Sequence, residues 1–157
     1  MKVGGTIPKF ILKSSSKNEI TDFHLHKNFK NKSILMICVP GAFTSTCHNK
    51  HLPPFIENYT FLKREKNIDE IYCISVNDPY VMQQWSISLK NSDIKFLSDG
   101  NADFGKKTKL LKPFNHNFMG TRLKRSVIKI DNLIVNKIII DEAGMLKTNY
   151  EEILKSI

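Results

Sequence analysis

Six consecutive apolar residues, Ile34-Leu35-Met36-Ile37-Cys38-Val39, run straight into Pro40-Gly41, and that junction constrains the fold more than any other stretch of the chain. An unbroken apolar run this short, ended by turn residues, has the length and composition of a buried strand. A loop rich in threonine and serine, Thr44-Ser45-Thr46, follows it. The next segment has helical character from Cys47 to Lys66. Pro53-Pro54 within it predicts a kink or a break into two pieces, because proline removes amide donors.

This places Cys47 in the first turn of a helix, where unpaired amide N–H groups and the helix dipole favour negative charge. A thiolate is the nucleophilic form of cysteine, and such positions promote it. The competing reading is a buried, inert thiol, the usual state of a free cysteine. That reading suits Cys38 and Cys73, which both fall inside apolar strand segments. The three cysteines form no Cys-x-x-Cys pair, and their odd number argues against a disulfide framework. His24-x-His26 and His48-x-x-His51 lack cysteine or carboxylate companions in a metal-binding order, so no metal site is expected.

The remaining chain alternates between strand and helix. Pro8 to Leu12 and Ile20 to Leu25 read as short strands around a polar turn, Ser14-Ser15-Ser16-Lys17-Asn18. Ser33 to Val39 and Glu70 to Val76 read as central strands. Asp78 before Pro79 has the form of a helix N-cap, with a helix to about Lys90. Ile94 to Leu97 is a third central strand, and Asn101 to Leu111 is helical with Gly105 as a weak point. Arg125 to Ile130 and Leu133 to Ile140 form a hairpin across Asp131-Asn132. Tyr150 to Ile157 makes a terminal helix. This order predicts an α/β protein with a mixed sheet between helices.

At 157 residues the chain fits one domain, residues 1–157, of a size that buries roughly 70% of its unfolded surface. No apolar stretch approaches the ~18 residues of a membrane span. The N-terminal residues resemble neither a signal peptide nor an Arg/Ser-rich transit peptide, so the expectation is a protein that is not secreted: cytoplasmic, or mitochondrial or plastid if a transit peptide has been removed. The formal net charge is +9. The lysines are scattered from Lys2 to Lys155, which favours a solvated basic surface over a nucleic-acid site. Such a surface attracts anionic small molecules such as glutathione and steers acidic protein partners.

Pro40, Thr44 and Cys47 have the Pro-x-x-x-Thr-x-x-Cys spacing of peroxiredoxins, thiol peroxidases with a thioredoxin-like fold, and the chain resembles that family from about Gly5 to its C-terminus. Pro40-Gly41-Ala42-Phe43-Thr44 and His51-Leu52-Pro53 are similar to the type 5 (type II) branch. So are Ser75-Val76-Asn77-Asp78, Phe104-Gly105-Lys106 and Leu123-Lys124-Arg125. The resemblance implies a thioredoxin-like α/β fold with an N-terminal strand extension, and no metal, haem or flavin cofactor. It assigns Cys47 as the nucleophile that becomes sulfenic acid, Thr44 as the hydroxyl orienting the peroxide, and Pro40 as the shield against solvent. Arg125 would be the distant guanidinium that stabilises the thiolate and the leaving oxygen, with Arg122 its rival. The Cys47 amide would supply a further donor. His51 reads as structural, and His48 stands where relatives carry a small polar residue.

Many type 5 relatives have a second cysteine near the C-terminus, whereas nothing after Cys73 here supplies sulfur. The expectation is therefore a one-cysteine enzyme acting on hydrogen peroxide and organic hydroperoxides. An external thiol, glutathione with or without glutaredoxin, would resolve the sulfenic acid. Thioredoxin is the second choice, and Cys73 as internal resolver the third. The resemblance further implies a homodimer, with Phe43, Phe114, Phe118 and Met119 as contacts or as core residues. Two rival readings are a redox relay that passes Cys47 oxidation to a client, and a basic binding module.

Overall fold

The computed structural model describes residues 1–16, 19–90 and 93–157. A seven-stranded mixed sheet forms its centre, built from β1 (Ile11–Ser15), β2 (Ile20–His24), β3 (Ser33–Cys38), β4 (Glu70–Ser75), β5 (Lys95–Ser98), β8 (Arg125–Asp131) and β9 (Ile134–Asp141) in the order β2-β1-β5-β4-β3-β8-β9. The middle strands β3, β4 and β5 are parallel, while β8 and β9 on one side and the β1–β2 hairpin on the other run antiparallel to their neighbours. This is the thioredoxin-like α/β architecture with an N-terminal strand extension that the sequence leads one to expect.

The continuous apolar runs of β3 and β4 follow from helices covering both sheet faces. Alternate residues point into two separate cores. Ile34, Met36, Cys38, Tyr72 and Ile74 meet Phe23, Phe29 and Phe104 on one face. Leu35, Ile37, Val39, Ile71 and Cys73 meet Cys47, Phe55, Leu62, Met82, Trp85 and Ile153 on the other. Cys47 and Cys73 therefore share a core, and Cys38 lies across the sheet from both.

Helices cover the two faces: α1 (Leu25–Phe29), α2 (Leu52–Glu57), α3 (Tyr59–Glu65), α4 (Pro79–Ser88), α5 (Asp103–Thr108) and α6 (Tyr150–Ser156). Asp78 caps α4 as read from the sequence, its carboxylate accepting the amides of Tyr80 and Val81 at 3.0 Å each.

Several boundaries differ from expectation. The segment after Cys47 is a wide π-type turn, Cys47–His51, followed by α2 and α3. Pro53-Pro54 falls in the first turn of α2, where a missing N–H costs nothing. A second break, at Asn58, separates α2 from α3, with the Asn58 amide bonded back to the Pro54 carbonyl. The first strand begins three residues late, and Ser14 and Ser15 belong to it rather than to a turn. Lys17 and Asn18 of that expected turn lie outside the described residues. The long hairpin turns at Asn132-Leu133, both at positive φ. The helix expected to Leu111 stops at Thr108, because Leu111–Pro113 (β6) pairs with Thr121–Leu123 (β7) in a second, two-stranded sheet.

Candidate active site

The Cys47 loop is held in place from β3 and from the end of β4. The Thr44 hydroxyl donates to the Gly41 carbonyl at 2.9 Å, and the Thr44 carbonyl accepts the His48 amide at 2.8 Å, so the helical segment starts beside Thr44. The Asn77 side chain accepts the Ala42 amide at 2.8 Å and is itself held by the Ser75 hydroxyl. That tie accounts structurally for the Ser75-Val76-Asn77-Asp78 motif: its asparagine fixes the loop and its aspartate starts α4.

Cys47 is fully buried, and Arg125 reaches it from the first position of β8. Each edge of the guanidinium has a partner. Nη2 donates to Cys47 Sγ at 3.5 Å, Nη1 to His51 Nδ1 at 2.9 Å, and Nε to the Gly144 carbonyl at 3.0 Å. His51 Nε2 donates to the Thr148 carbonyl at 2.8 Å, which leaves Nδ1 as the acceptor that Arg125 requires. Burial, and next the Arg125 charge, push the His51 imidazole down to about 4, so it stays neutral near pH 7. The wide turn sets this up by burying both Cys47 and His51 against one guanidinium.

The loop that supplies Gly144 and Thr148 is itself gathered by one carboxylate. Asp141, opposite Arg125 in the β8–β9 register, accepts the amides of Leu146, Lys147 and Thr148 at 2.9–3.2 Å and the Thr148 hydroxyl at 2.6 Å. Burial raises its pKa, but the Thr148 hydroxyl and the three amides outweigh that and hold it below the usual carboxylate range.

Pro40, Thr46, Phe114, Lys112, Lys124 and Arg125 line a cavity of about 190 Å³ together with residues 141–144. Arg122, the rival guanidinium, donates from Nε to the Met119 carbonyl at 2.7 Å, so Arg125 alone of the two bonds the cysteine. Pro40 shares the cavity with Arg125, whereas the Thr44 hydroxyl is turned to its own loop. A wider hollow of about 800 Å³ between the start of β1 and α1 holds no cysteine.

Residues 2–154 match the Redoxin family. Peroxiredoxin-2C of Oryza sativa subsp. japonica is 36% identical over 99% of this chain and 97% of its own length. Two solved structures superpose with a TM-score of 0.93 at 32% identity, each over 99% of this chain and 98% of theirs: the Plasmodium falciparum antioxidant protein, described as a 1-Cys peroxiredoxin, and reduced Prx3 of Vibrio vulnificus in complex with hydrogen peroxide. The chain belongs to the peroxiredoxin family. It is accordingly a thiol-dependent peroxidase, an oxidoreductase of peroxides and thiols.

Next to Cys47 in the chain, His48 accepts the indole N–H of Trp85 at 2.9 Å and stacks on Phe43. Phe43 is 51% exposed and Phe118 99% exposed, both at positive φ, while Phe114 and Met119 are part-buried. None of the four is a core residue. Among the described residues no group of three His, Cys, Asp or Glu side chains could hold a metal ion, and no helix is long and apolar enough to cross a membrane.

In the sequence His51 stands out only as part of a matching segment with a structural role, and Asp141 does not stand out as a site residue. Sequence carries one faint signal for the second: an aspartate at a strand end, followed seven residues later by a threonine.

Proposed function

We propose that this peroxiredoxin is a type 5, one-cysteine enzyme in which Cys47 reduces hydrogen peroxide and organic hydroperoxides. The Cys47 thiolate attacks one peroxide oxygen; the S–O bond forms as the O–O bond breaks, and the leaving oxygen departs as hydroxide or alkoxide. Arg125, with Nη2 at 3.5 Å from the sulfur, is the observation that carries the assignment. The same guanidinium stabilises the thiolate before attack and the charge on the departing oxygen during it. The Cys47 amide donates to the peroxide, the Thr44 hydroxyl, its proton given to the Gly41 carbonyl, offers its oxygen as acceptor, and Pro40 keeps water from the sulfur.

The product is Cys47 sulfenic acid. With no cysteine beyond Cys73, an external thiol completes the cycle: glutathione, with or without glutaredoxin, ahead of thioredoxin. The exposed aromatics Phe43, in the loop before Cys47, and Phe118, in the loop before β7, support pairing of two copies through these loops.

Steady-state consumption of hydrogen peroxide and tert-butyl hydroperoxide tests the reading, with glutathione plus glutaredoxin and thioredoxin supplied in parallel. Turnover with the glutathione system, abolished in Cys47→Ser, is the expected result. Oxidation of Cys47 once without sustained turnover would instead favour a relay to a client protein. A Cys47–Cys73 disulfide after a single turnover would make the enzyme a two-cysteine one.

A further inference from the structure

The cavity lined by Arg125 and by Thr46, the neighbour of Cys47, sets three cations, Lys112, Lys124 and Arg125, against two carboxylates, Asp141 and Glu142, and Asp141 is already committed to the amides of residues 146–148. Arg125 alone serves the leaving oxygen, yet Lys112 and Lys124 line the same cavity. Lys112 lies on β6 and Lys124 directly follows β7, so the two-stranded sheet brings both to the same mouth. The Lys112 ammonium donates to the Glu142 carbonyl and lies over the Phe114 ring at 5.9 Å from its centre. The Lys124 ammonium pairs with the Glu142 carboxylate at 3.3 Å, the two side chains being 24% and 71% exposed. The carboxylate side of the pair is thus mostly in solvent and held by a single contact, which makes it cheap to exchange. Glu142 thus occupies both ammonium groups, Lys124 through its carboxylate and Lys112 through its backbone carbonyl.

We propose that this mouth binds the carboxylate of the reducing thiol, with Lys112 and Lys124 as its partners and Glu142 as a displaceable internal competitor. The proposal rests on the one-cysteine reading above. The chain offers no resolving thiol of its own downstream of Cys73, so the reductant must be captured from solution beside the oxidised sulfur. Its thiolate attacks the Cys47 sulfenic sulfur; the S–S bond forms, the S–O bond breaks, and the leaving hydroxide takes a proton to become water. A second thiolate then attacks the mixed disulfide at the reductant's sulfur, releasing the Cys47 thiolate and the oxidised reductant as its disulfide. Two thiols lose the two electrons that the peroxide gained.

Three small thiols of different charge test this: 3-mercaptopropionate, 2-mercaptoethanol and cysteamine. Each is mixed with protein carrying Cys47 sulfenic acid from one equivalent of hydrogen peroxide, and rates are corrected for thiolate fraction. The readout is the ratio of the anionic to the neutral rate. Lys112→Gln and Lys124→Gln are each expected to lower that ratio roughly two- to five-fold, and Glu142→Gln to raise it by a similar factor. Sodium chloride at about 1 M, where the screening length is roughly 3 Å, should bring the native ratio down towards that of the lysine variants. A ratio that none of the three substitutions moves, with thiols still resolving Cys47, overturns the proposal and leaves the one-cysteine reading standing. If no thiol of any charge resolves the sulfenic acid, that reading fails first. Lysine effects confined to oxidation by a carboxylate-bearing hydroperoxide would assign the mouth to the peroxide and also overturn the proposal.

Discussion

Cys47 and the strand cysteines Cys38 and Cys73 are equally buried, at 0% exposure, and their surroundings differ in almost every other respect. Desolvation pushes the Cys38 thiol up to about 12, with a hydrogen bond to Ser126 opposing it, and it pushes Cys73 well above the ordinary thiol value. Both lie in the ladder, where neighbouring strands on each side take up the backbone donors: Cys38 faces Ile74 and Ser126, and Cys73 faces Ile37 and Phe96. Cys47 sits instead in a wide turn outside the sheet, with a guanidinium aimed at its sulfur. Burial therefore does not set apart the cysteine proposed to react. What marks it is a fixed cation and a backbone not already committed to a ladder.

The most direct way to break this comparison is to map oxidation by peroxide on the native protein. Mass spectrometry should find Cys47 modified first. Cys38 and Cys73 should react only through unfolding, about three orders of magnitude more slowly or more. Comparable oxidation of either strand cysteine would show that the cation makes no difference. Next, Arg125→Met should cut the rate constant for Cys47 oxidation by about 10²–10³, and Arg125→Lys should recover only part of it, since an ammonium cannot serve three partners at fixed angles. Stopped-flow oxidation, with circular dichroism to confirm folding, checks both.

His51 sharpens the comparison through pH. Its folded value of about 4 lies below its free value of 6.5, so the unfolded chain binds more protons between those limits. Stability is complete above about pH 6.5 and falls as the pH drops to 4, by on the order of 3 kcal/mol. Urea denaturation at neutral pH and near pH 4.5 should show this loss, and His51→Gln, which keeps a donor and an acceptor but does not titrate, should flatten it. The smallest effect is expected at Gly105, where an added Cβ would lie 2.3 Å from Leu111 Cδ2 and 2.9 Å from Leu123 Cδ2. Gly105→Ala should destabilise by about 1–3 kcal/mol, seen as a lower Tm, because it overpacks the base of the two-stranded sheet that carries Lys112.

Much of this molecule is legible in its residue order. The central strands announce themselves because strands covered on both faces need unbroken apolar runs, and Asp78-Pro79 announces α4 because capping is a local bargain between a carboxylate and the next amides. The short β6 and β7 are not legible, since three residues each carry no periodicity and become strands only by pairing. The five-residue α1 escaped notice for the same reason of length.

Sequence by itself determined the sheet's core, the family, and Cys47 as the residue to watch, because strand burial, turn chemistry and helix starts are written in neighbouring residues. Only the tertiary structure decided which arginine meets the sulfur. Arg122 and Arg125 are three residues apart and equally basic, but β8 pairs with β3 so that Ser126 faces Cys38, which sets Arg125 beside the strand end leading to Pro40. It likewise decided that His51 stays neutral and that Asp141 gathers the loop holding that guanidinium. The two His51 bonds, to Arg125 and to Thr148, join residues 74 and 97 positions apart, and at such separations only the packed chain determines which groups meet.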